Sequence, residues 1–347
     1  MEEATTEFKK ILALSEEDFE KYQLKKRMEI VDFHLQFNPF YQRLAPEFNK
    51  AFTLQDWNDL PILTKTNYQK PLEERLSNGY TIKNVYVNRT SGSSGDPFIF
   101  AKDKFCHAMV WSSIKYRFGM YGIDLNTSYQ ARFYGYPLDF FNRYKLKFKD
   151  FLSRRYRFPL FDLSDASLEK FVTLFKTKKF DYINGYTSCI VMLCNFLKKE
   201  NIVLKNVCPT LKVCIVTSEM LFDADKILLE TWLGIPVVNE YGAAEMDIIA
   251  FQNTDNEWVI NTENLFVEIL DDDNKPLPYG EEGNIVITSL YNKAHPFIRY
   301  KIGDIGILEK VTEKKIILKK LIGRTNDYAQ LPSGKKAPGM TFYSLTK

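Results

Sequence analysis

Apolar and polar positions change period twice along this chain, and the changes divide it. Over residues 7–37 the apolar side chains recur at three- and four-residue steps, Phe8, Ile11 and Leu12 on one face, then Leu24, Met28, Val31 and Leu35 on another. That spacing predicts two amphipathic helices, stopped at Asn38-Pro39. A short apolar turn follows, Leu60-Pro61-Ile62-Leu63-Thr64-Lys65, with Thr64 placed to cap the next helix. Val85-Tyr86-Val87 and Phe98-Ile99-Phe100 predict strands on either side of a hydroxyl- and glycine-rich loop, and residues 103–120 predict a helix closed at Tyr121-Gly122. Strand signals then recur at 129–134, 211–216 and 237–239, and 181–186 reads as strand then loop. Between them lie a helix opened by Ser164-Asp165, with Leu168, Phe171, Val172 and Phe175 inward, and another over 223–233. Such alternation predicts a mostly parallel, helix-covered sheet. Past Trp258 the period becomes two, through Val259-Ile260, 266–269, 285–287, Phe297-Ile298-Arg299 and 305–307. This predicts a compact antiparallel unit, with Asp271 to Asn274 as a hairpin turn; these aspartates lack the glycine and distal Glu of an EF-hand and read as solvated.

Composition narrows the function classes. With 347 residues, 45% hydrophobic, the chain can bury a large core. Its 47 basic and 44 acidic residues leave a net charge of +3, so no global field recruits nucleic acid or membrane and partners must be argued locally. No stretch approaches the ~18 apolar residues of a membrane span, and the charged N-terminus has no leader-like core, so the expectation is a cytoplasmic protein. Cys106, Cys189, Cys194, Cys208 and Cys214 form no Cys-x-x-Cys pair and read as buried thiols in a reducing compartment; Cys106-His107 lacks partners at ligand spacing and reads as structural. Segment 143–157 gathers Arg143, Lys145, Lys147, Lys149, Arg154, Arg155 and Arg157 among aromatics. It could serve an anionic lipid surface, a nucleic acid or an acidic carrier protein, and its plain reading is a solvated face.

The chemistry sits at the ends of the apolar runs. Residues 89–97 read Arg-Thr-Ser-Gly-Ser-Ser-Gly-Asp-Pro, in which glycines and successive N–H groups suit a wrapped polyphosphate. No Gly-Lys-Ser/Thr precedes a helix here, so it is not a Walker A loop. Thr217-Ser218-Glu219-Met220 and Asn239-Glu240-Tyr241-Gly242-Ala243-Ala244-Glu245 follow neighbouring strand signals and would sit side by side, where open sheets place ligands. Arg299-Tyr300-Lys301-Ile302-Gly303-Asp304 brings a carboxylate after a buried strand, and Gly323-Arg324-Thr325-Asn326-Asp327 a guanidinium and another carboxylate.

This set resembles the AMP-forming adenylating superfamily of acyl-CoA synthetases, nonribosomal adenylation domains and luciferases. Within it the likeness is strongest to phenylacetate-CoA ligases and to the CapK-like proteins of capsular polysaccharide clusters. It rests on the 90–95 loop, Tyr-Gly-Ala-Ala-Glu at 241–245, Arg-Tyr-Lys-Ile-Gly-Asp at 299–304, Gly-Arg-Thr-Asn-Asp at 323–327 and the 60–65 turn, in that family's order. The resemblance implies an α/β fold, the large N-terminal domain of an adenylate-forming enzyme over 1–322 with its β subdomain at about 258–322. Residues 323–347 would be the hinge and first part of a truncated lid. It implies that a carboxylic acid and Mg·ATP give acyl-AMP and pyrophosphate, and that a thiol of coenzyme A or an acyl carrier protein, or an amine, then takes the acyl group. No protein nucleophile is needed, because positioning and electrostatic stabilisation do the work. A homodimer is compatible with this reading, and nucleic acid has no place in it.

Carried over residue by residue, the resemblance implies that Thr90, Ser91, Ser93 and Ser94, with the N–H groups of Gly92 and Gly95, hold the β- and γ-phosphates, and that Glu245 ligates Mg2+. Tyr241 would lie against the adenine within the Gly242-Ala243-Ala244 turn, with Ser218, Glu219 and Met220 on the base's other side. Asp304 would accept the ribose hydroxyls, Arg324 would reach the ribose or α-phosphate, and Asp327 matches the lid hinge. Tyr134, Gly185, Tyr186, Ser188 and Met246 are candidates for the acid pocket, whose aromatic surroundings suit an aryl or medium acyl group.

Two departures qualify the likeness. Ala244 stands where many members carry Thr, removing a hydroxyl toward the α-phosphate worth ~1–2 kcal/mol. Only residues 328–347 follow Asp327, fewer than the ~40 that fold alone, and the family's lid lysine finds no match. The expectation is a chain that binds ATP and adenylates slowly. A second reading stays open: a catalytically impaired nucleotide-binding homologue acting as a scaffold in a polysaccharide or secondary-metabolite pathway.

Overall fold

The computed structural model describes residues 1–48, 52–90, 98–135, 140–324, 328–330 and 336–338. By contacts the chain forms two compact units, Met1–Ser113 with Ala243–Ala250 and Trp258–Lys347, and Ile114–Gly242 with Phe251–Glu257. The first opens with α1 (Glu2–Leu12) and α2 (Glu16–Phe37). Ser15 caps α2 by accepting from the Asp18 N–H, and Glu16, Glu17 and Asp18 complement the positive end of the helix. Phe19, Ile30, Val31 and Leu35 supply its buried face. Asn38 ends α2 and caps α3 (Pro39–Leu44), whose proline takes the first position, where no N–H is needed. The 60–65 turn leads into a single 3-10 turn, Lys65–Tyr68, through a capping box of Thr64 and Asn67.

Strands β1 (Tyr86–Arg89) and β2 (Ile99–Lys102) pair antiparallel, Arg89 facing Ile99. The helix after them, α4 (Lys104–Gly119), is capped by Asp103, whose Oδ1 accepts from the Cys106 N–H at 2.8 Å.

The second unit alternates as the pattern requires: β3 (Gln130–Phe133), α5 (Phe140–Leu152), β4 (Arg155–Arg157), α6 (Asp165–Thr177), β5 (Tyr182–Tyr186), α7 (Thr187–Lys199), α8 (Leu204–Val207), β6 (Val213–Thr217), α9 (Asp223–Leu233) and β7 (Val237–Ala243). These five strands are all parallel, in the order β4-β3-β5-β6-β7. β6 is buried along its whole length, as a parallel strand covered on both faces must be. Phe133, Phe158, Phe171, Phe175 and Phe180 form an aromatic core, with Phe158 stacked on Phe133 at 4.6 Å and on Phe175 at 5.4 Å. Gly234, at φ 68°, ends α9 in the left-handed conformation that glycine adopts at least cost. Helix α7 is a correction: Tyr186 leads straight into it and not into a loop.

The chain then returns through β8 (Asp247–Gln252), β9 (Trp258–Ile260), β10 (Leu265–Leu270), β11 (Glu282–Ser289), β12 (Tyr300–Lys310) and β13 (Ile316–Arg324). The antiparallel order is β10-β11-β12-β13-β9, and a last pair, β14 (Tyr328–Gln330) with β15 (Lys336–Pro338), completes the described strands. The predicted strand at 297–299 is absent. Arg299 has φ 46°, and its fully buried guanidinium turns inward to bond the carbonyls of Trp57, Asn58 and Leu60 and to face Glu268 at 3.4 Å. A cation held by three carbonyls dictates this backbone more strongly than the apolar alternation does.

Candidate active site

Two groups of motif residues come together, one in each unit. In the first, the Leu63 N–H donates to the Arg299 carbonyl at 3.1 Å and the Lys301 N–H donates to the Leu63 carbonyl at 2.8 Å. The 60–65 turn is thereby bonded on both sides of Tyr300. Tyr300 is buried among Tyr68 and Phe297, and its hydroxyl donates to Glu245 Oε1 at 3.0 Å. Burial raises the Glu245 carboxyl above its ordinary value, opposed by its own backbone N–H, the Tyr300 bond and the charges of Lys102 and Lys65. Burial and the Glu245 charge together push the Tyr300 hydroxyl far above the tyrosine range, so it stays a donor.

Lys102 closes β2 and is almost wholly buried. Its ammonium pairs with Asp247 and lies 3.4 Å from the Ala244 carbonyl, so it holds the segment in which Glu245 sits. Met246 is buried there, lining a small enclosed cavity with Lys102, Cys106 and Asn264. Asp304 lies in an irregularity of β12: Lys301 faces Val286 and Ile305 faces Asn284, so residues 302–304 stand opposite Ile285 alone. Gly303 takes φ 92° within it, and the bulge re-aims Asp304, which registers against Arg324 on β13. Asp304 is therefore inside the strand, where the sequence placed it after one.

Of the hydroxyl- and glycine-rich stretch, the described flanking residues Thr90 and Phe98 bond each other. The Thr90 N–H donates to the Phe98 carbonyl and the Phe98 N–H donates to Thr90 Oγ1, each at 3.1 Å. Ser91, Gly92, Ser93, Ser94, Gly95 and the hinge candidate Asp327 lie outside the described residues, as does the side chain of Arg324.

In the second unit the motifs meet along one rung of the parallel sheet. Phe133 faces Gly185, Gly185 faces Val216 and Val216 faces Asn239; one residue on, Tyr186 faces Thr217 and Thr217 faces Glu240. Tyr134, Tyr186, Thr217 to Glu219 and Glu240-Tyr241 thus share the carboxyl edge, where open α/β sheets bind ligands. Asn184 organises this edge, accepting from Gln130 at 3.0 Å and the Tyr134 hydroxyl at 3.3 Å while donating to the Ile215 carbonyl at 3.1 Å. The Tyr134 ring lies 5.0 Å from Tyr186 and under the Arg132 guanidinium at 4.1 Å. Burial and the Glu240 charge raise the Tyr134 hydroxyl well above its ordinary value. Ser218 takes φ 71°, uncommon for a residue with a Cβ, and is exposed at the tip. The Glu219 carboxylate accepts from the Ser188 N–H at 2.7 Å and from its hydroxyl at 3.0 Å, so it caps α7. Gly185 has a packing reason of its own: a Cβ there would stand 2.3 Å from the Phe133 carbonyl oxygen.

The sequence reading missed Lys102, Asn184 and the role of Tyr300. A lysine directly ending an apolar strand, and an asparagine inside one, are the polar-in-apolar signals that could have found them. His107 is structural, stacked on Tyr86 at 4.1 Å. Among the described residues no three His, Cys, Asp or Glu side chains cluster as a metal cage. No helix among them is long and apolar enough to cross a membrane. A cleft of about 600 Å³, lined by Tyr121, Glu230, Pro236 and Asn256, opens at the other end of β7 and holds none of the motif residues.

No family model matches the chain. It is 25% identical over 311 residues to protein CapK of Staphylococcus aureus, covering 84% of this chain and 64% of that protein, so it spans less than two thirds of that relative's length. Among solved structures, 2-hydroxyisobutyryl-CoA ligase in the postadenylation state with R3-HIB-AMP superposes with a TM-score of 0.72 at 18% identity, over 92% of this chain and 70% of that one. Its open conformation with 2-HIB-AMP and CoA gives 0.71 at 19% identity, over 92% and 77%. An ATP-bound RpMatB-BxBclM chimera gives 0.51 at 15%, over 73% and 50%. The chain resembles CapK in sequence and carries the mixed α/β fold of the N-terminal domain of adenylate-forming ligases.

Proposed function

We propose that this chain activates a carboxylic acid as its acyl-adenylate, releasing pyrophosphate, and passes the acyl group to the thiol of coenzyme A or a carrier protein, or to an amine. One observation carries the reading beyond fold: the carboxylate closing the 241–245 motif accepts a hydrogen bond from the tyrosine opening β12, the strand that also holds Asp304. Two motifs far apart in sequence are joined at the chemical group that each is expected to serve. Residues 1–322 form the adenylating part in this reading, and Asp327 is the hinge to the segment beyond it.

The chemical difficulty is repulsion between an anionic acid and a polyanion at its α-phosphorus, which aimed donors and cations relieve. Thr90 through Gly95 would hold the outer phosphates, and Asp304 would accept the ribose hydroxyls. Tyr241 would meet the adenine, with Ser218 and Met220 near the base. Mg2+ arriving with ATP would offset phosphate charge, and one carboxylate beside phosphate oxygens suits it better than a protein cage. Glu245 is that carboxylate, oriented by Tyr300 and kept toward its ionised form by Lys65 and Lys102. Tyr134 and Tyr186 present paired rings, which favour a flat aryl or medium acyl group.

Calorimetric titration with ATP, with and without Mg2+, tests the nucleotide part whatever the turnover rate. Binding that needs Mg2+ supports it, and absence of heat under both conditions overturns it. Acid-dependent pyrophosphate release across aryl, fatty and amino acids then identifies the substrate, and release independent of every acid would refute the adenylation step.

A further inference from the structure

Helix α5 is built unlike any other described helix of the second unit. Tyr144, Phe148, Phe151 and Leu152 are 58, 65, 77 and 65% exposed, large apolar side chains at the four- and three-residue steps that share one face. With successive residues about 100° apart, they span an arc of about 100°. Lys147 lies just beyond one edge of that arc and Lys145 just beyond the other, with Lys149 further round; all three are exposed. The opposite side faces the protein: Leu146 is half-buried, and Asp150 is buried in a two-point ion pair with Arg157 of β4, at 2.8 and 3.3 Å. The lysines of the segment are solvated as expected, and exposed aromatic side chains share their face. Its inward residues are anchored to the outermost strand of the parallel sheet, and its hydrocarbon points outward between lysines.

We propose that α5 docks this protein on an anionic lipid bilayer, lying in the interface with its aromatic arc among the acyl chains and its lysines at the headgroups. The arrangement is that of an interfacial helix: a face of aromatic and leucine side chains, flanked by long cations that reach back to the polar layer. Charge complementarity selects the occupant. Asp150, the only acidic residue on α5 or β4, is buried with Arg157, so a two-fold contact with a second copy would set lysine against lysine and leave them uncompensated. Anionic headgroups supply that compensation, and the bilayer interior takes up the exposed rings.

Flotation of the full chain with vesicles tests this. Binding is expected to vesicles of phosphatidylcholine mixed equally with phosphatidylglycerol, weakened by salt, and not to phosphatidylcholine alone. Lys145→Gln with Lys147→Gln and Lys149→Gln should weaken it by roughly a hundredfold, and Phe148→Ser with Phe151→Ser by at least about tenfold. Both variants alter exposed side chains, so thermal melting and ATP titration should match the parent. The proposal fails if the parent does not float with anionic vesicles, or if both variants float as well as it does. It fails too if the parent is a dimer in solution that the phenylalanine variant splits, or if a single-stranded oligonucleotide or an acidic carrier protein competes the chain off vesicles by binding this face.

Discussion

Glu245 carries opposing demands. Its burial raises the carboxyl's affinity for a proton in the folded state relative to the unfolded chain. The ionised side chain therefore costs stability above the folded pKa, and that cost disappears as pH falls through this raised value. Affinity for Mg·ATP should run the other way, falling as the same carboxyl takes up its proton. Glu245→Gln keeps an acceptor for Tyr300 and removes the buried charge. We expect a higher melting temperature at neutral pH together with at least a tenfold loss of Mg2+-dependent ATP affinity, about 1.4 kcal/mol or more, by calorimetry. Tyr300→Phe takes away the donor that favours the ionised form, so the pH at which ATP affinity fades should move upward; an unchanged profile would separate Tyr300 from the nucleotide. At this scale the sequence was partly legible. Glu245, Tyr241 and Asp304 stand in short motifs and could be picked out by type and order. Lys102 and Asn184 interrupt apolar runs and carry that signal alone; what they and Lys65 act on appears only through folded contacts.

Elements show where periodicity suffices and where it fails. Four of the five parallel strands and α6 were readable because their apolar runs are bounded by clear turn residues; β4, Arg155–Arg157, lies in the basic run and was not. Helix α7 was not: Ile190, Val191, Leu193, Cys194, Phe196 and Leu197 are all buried, which blurs the helical period into a continuous apolar run. Residues 297–299 mislead in the opposite sense, since the alternation suits a strand while the buried Arg299 pulls the backbone into a left-handed turn. The strand pair β3 and β5 makes a direct prediction. Gly185→Ala would place a methyl group against the Phe133 backbone, prising the rung apart beside Tyr134 and Tyr186. A loss of ~1–3 kcal/mol or more is expected, read as a lower urea midpoint at unchanged slope, with weaker acid-dependent pyrophosphate release. An unaltered midpoint would mean that the strands separate at little cost.

For the whole molecule, ligand binding should appear as stability. If Mg·ATP binds only the folded chain, a concentration a hundred times its dissociation constant adds about 2.7 kcal/mol. Thermal melting should shift upward with ATP and Mg2+ together, and Glu245→Gln should remove about half of that shift or more. A shift as large without Mg2+ would detach the metal from the site. The fold class was legible at this scale because strands and helices alternate and then give way to period two. The proposed acid and acceptor were not, since pocket shape depends on side chains brought together from several elements.

The turn at 60–65 has a practical consequence. Leu63 exchanges main-chain bonds with both neighbours of Tyr300, so the first sixty-odd residues act as a doorstop behind the group that steadies Glu245. A shortened protein beginning beyond Lys65 would retain all the later signature segments and still lose this brace. Any attempt to reduce the molecule to a minimal nucleotide-holding fragment therefore has to start from its amino end and trim elsewhere.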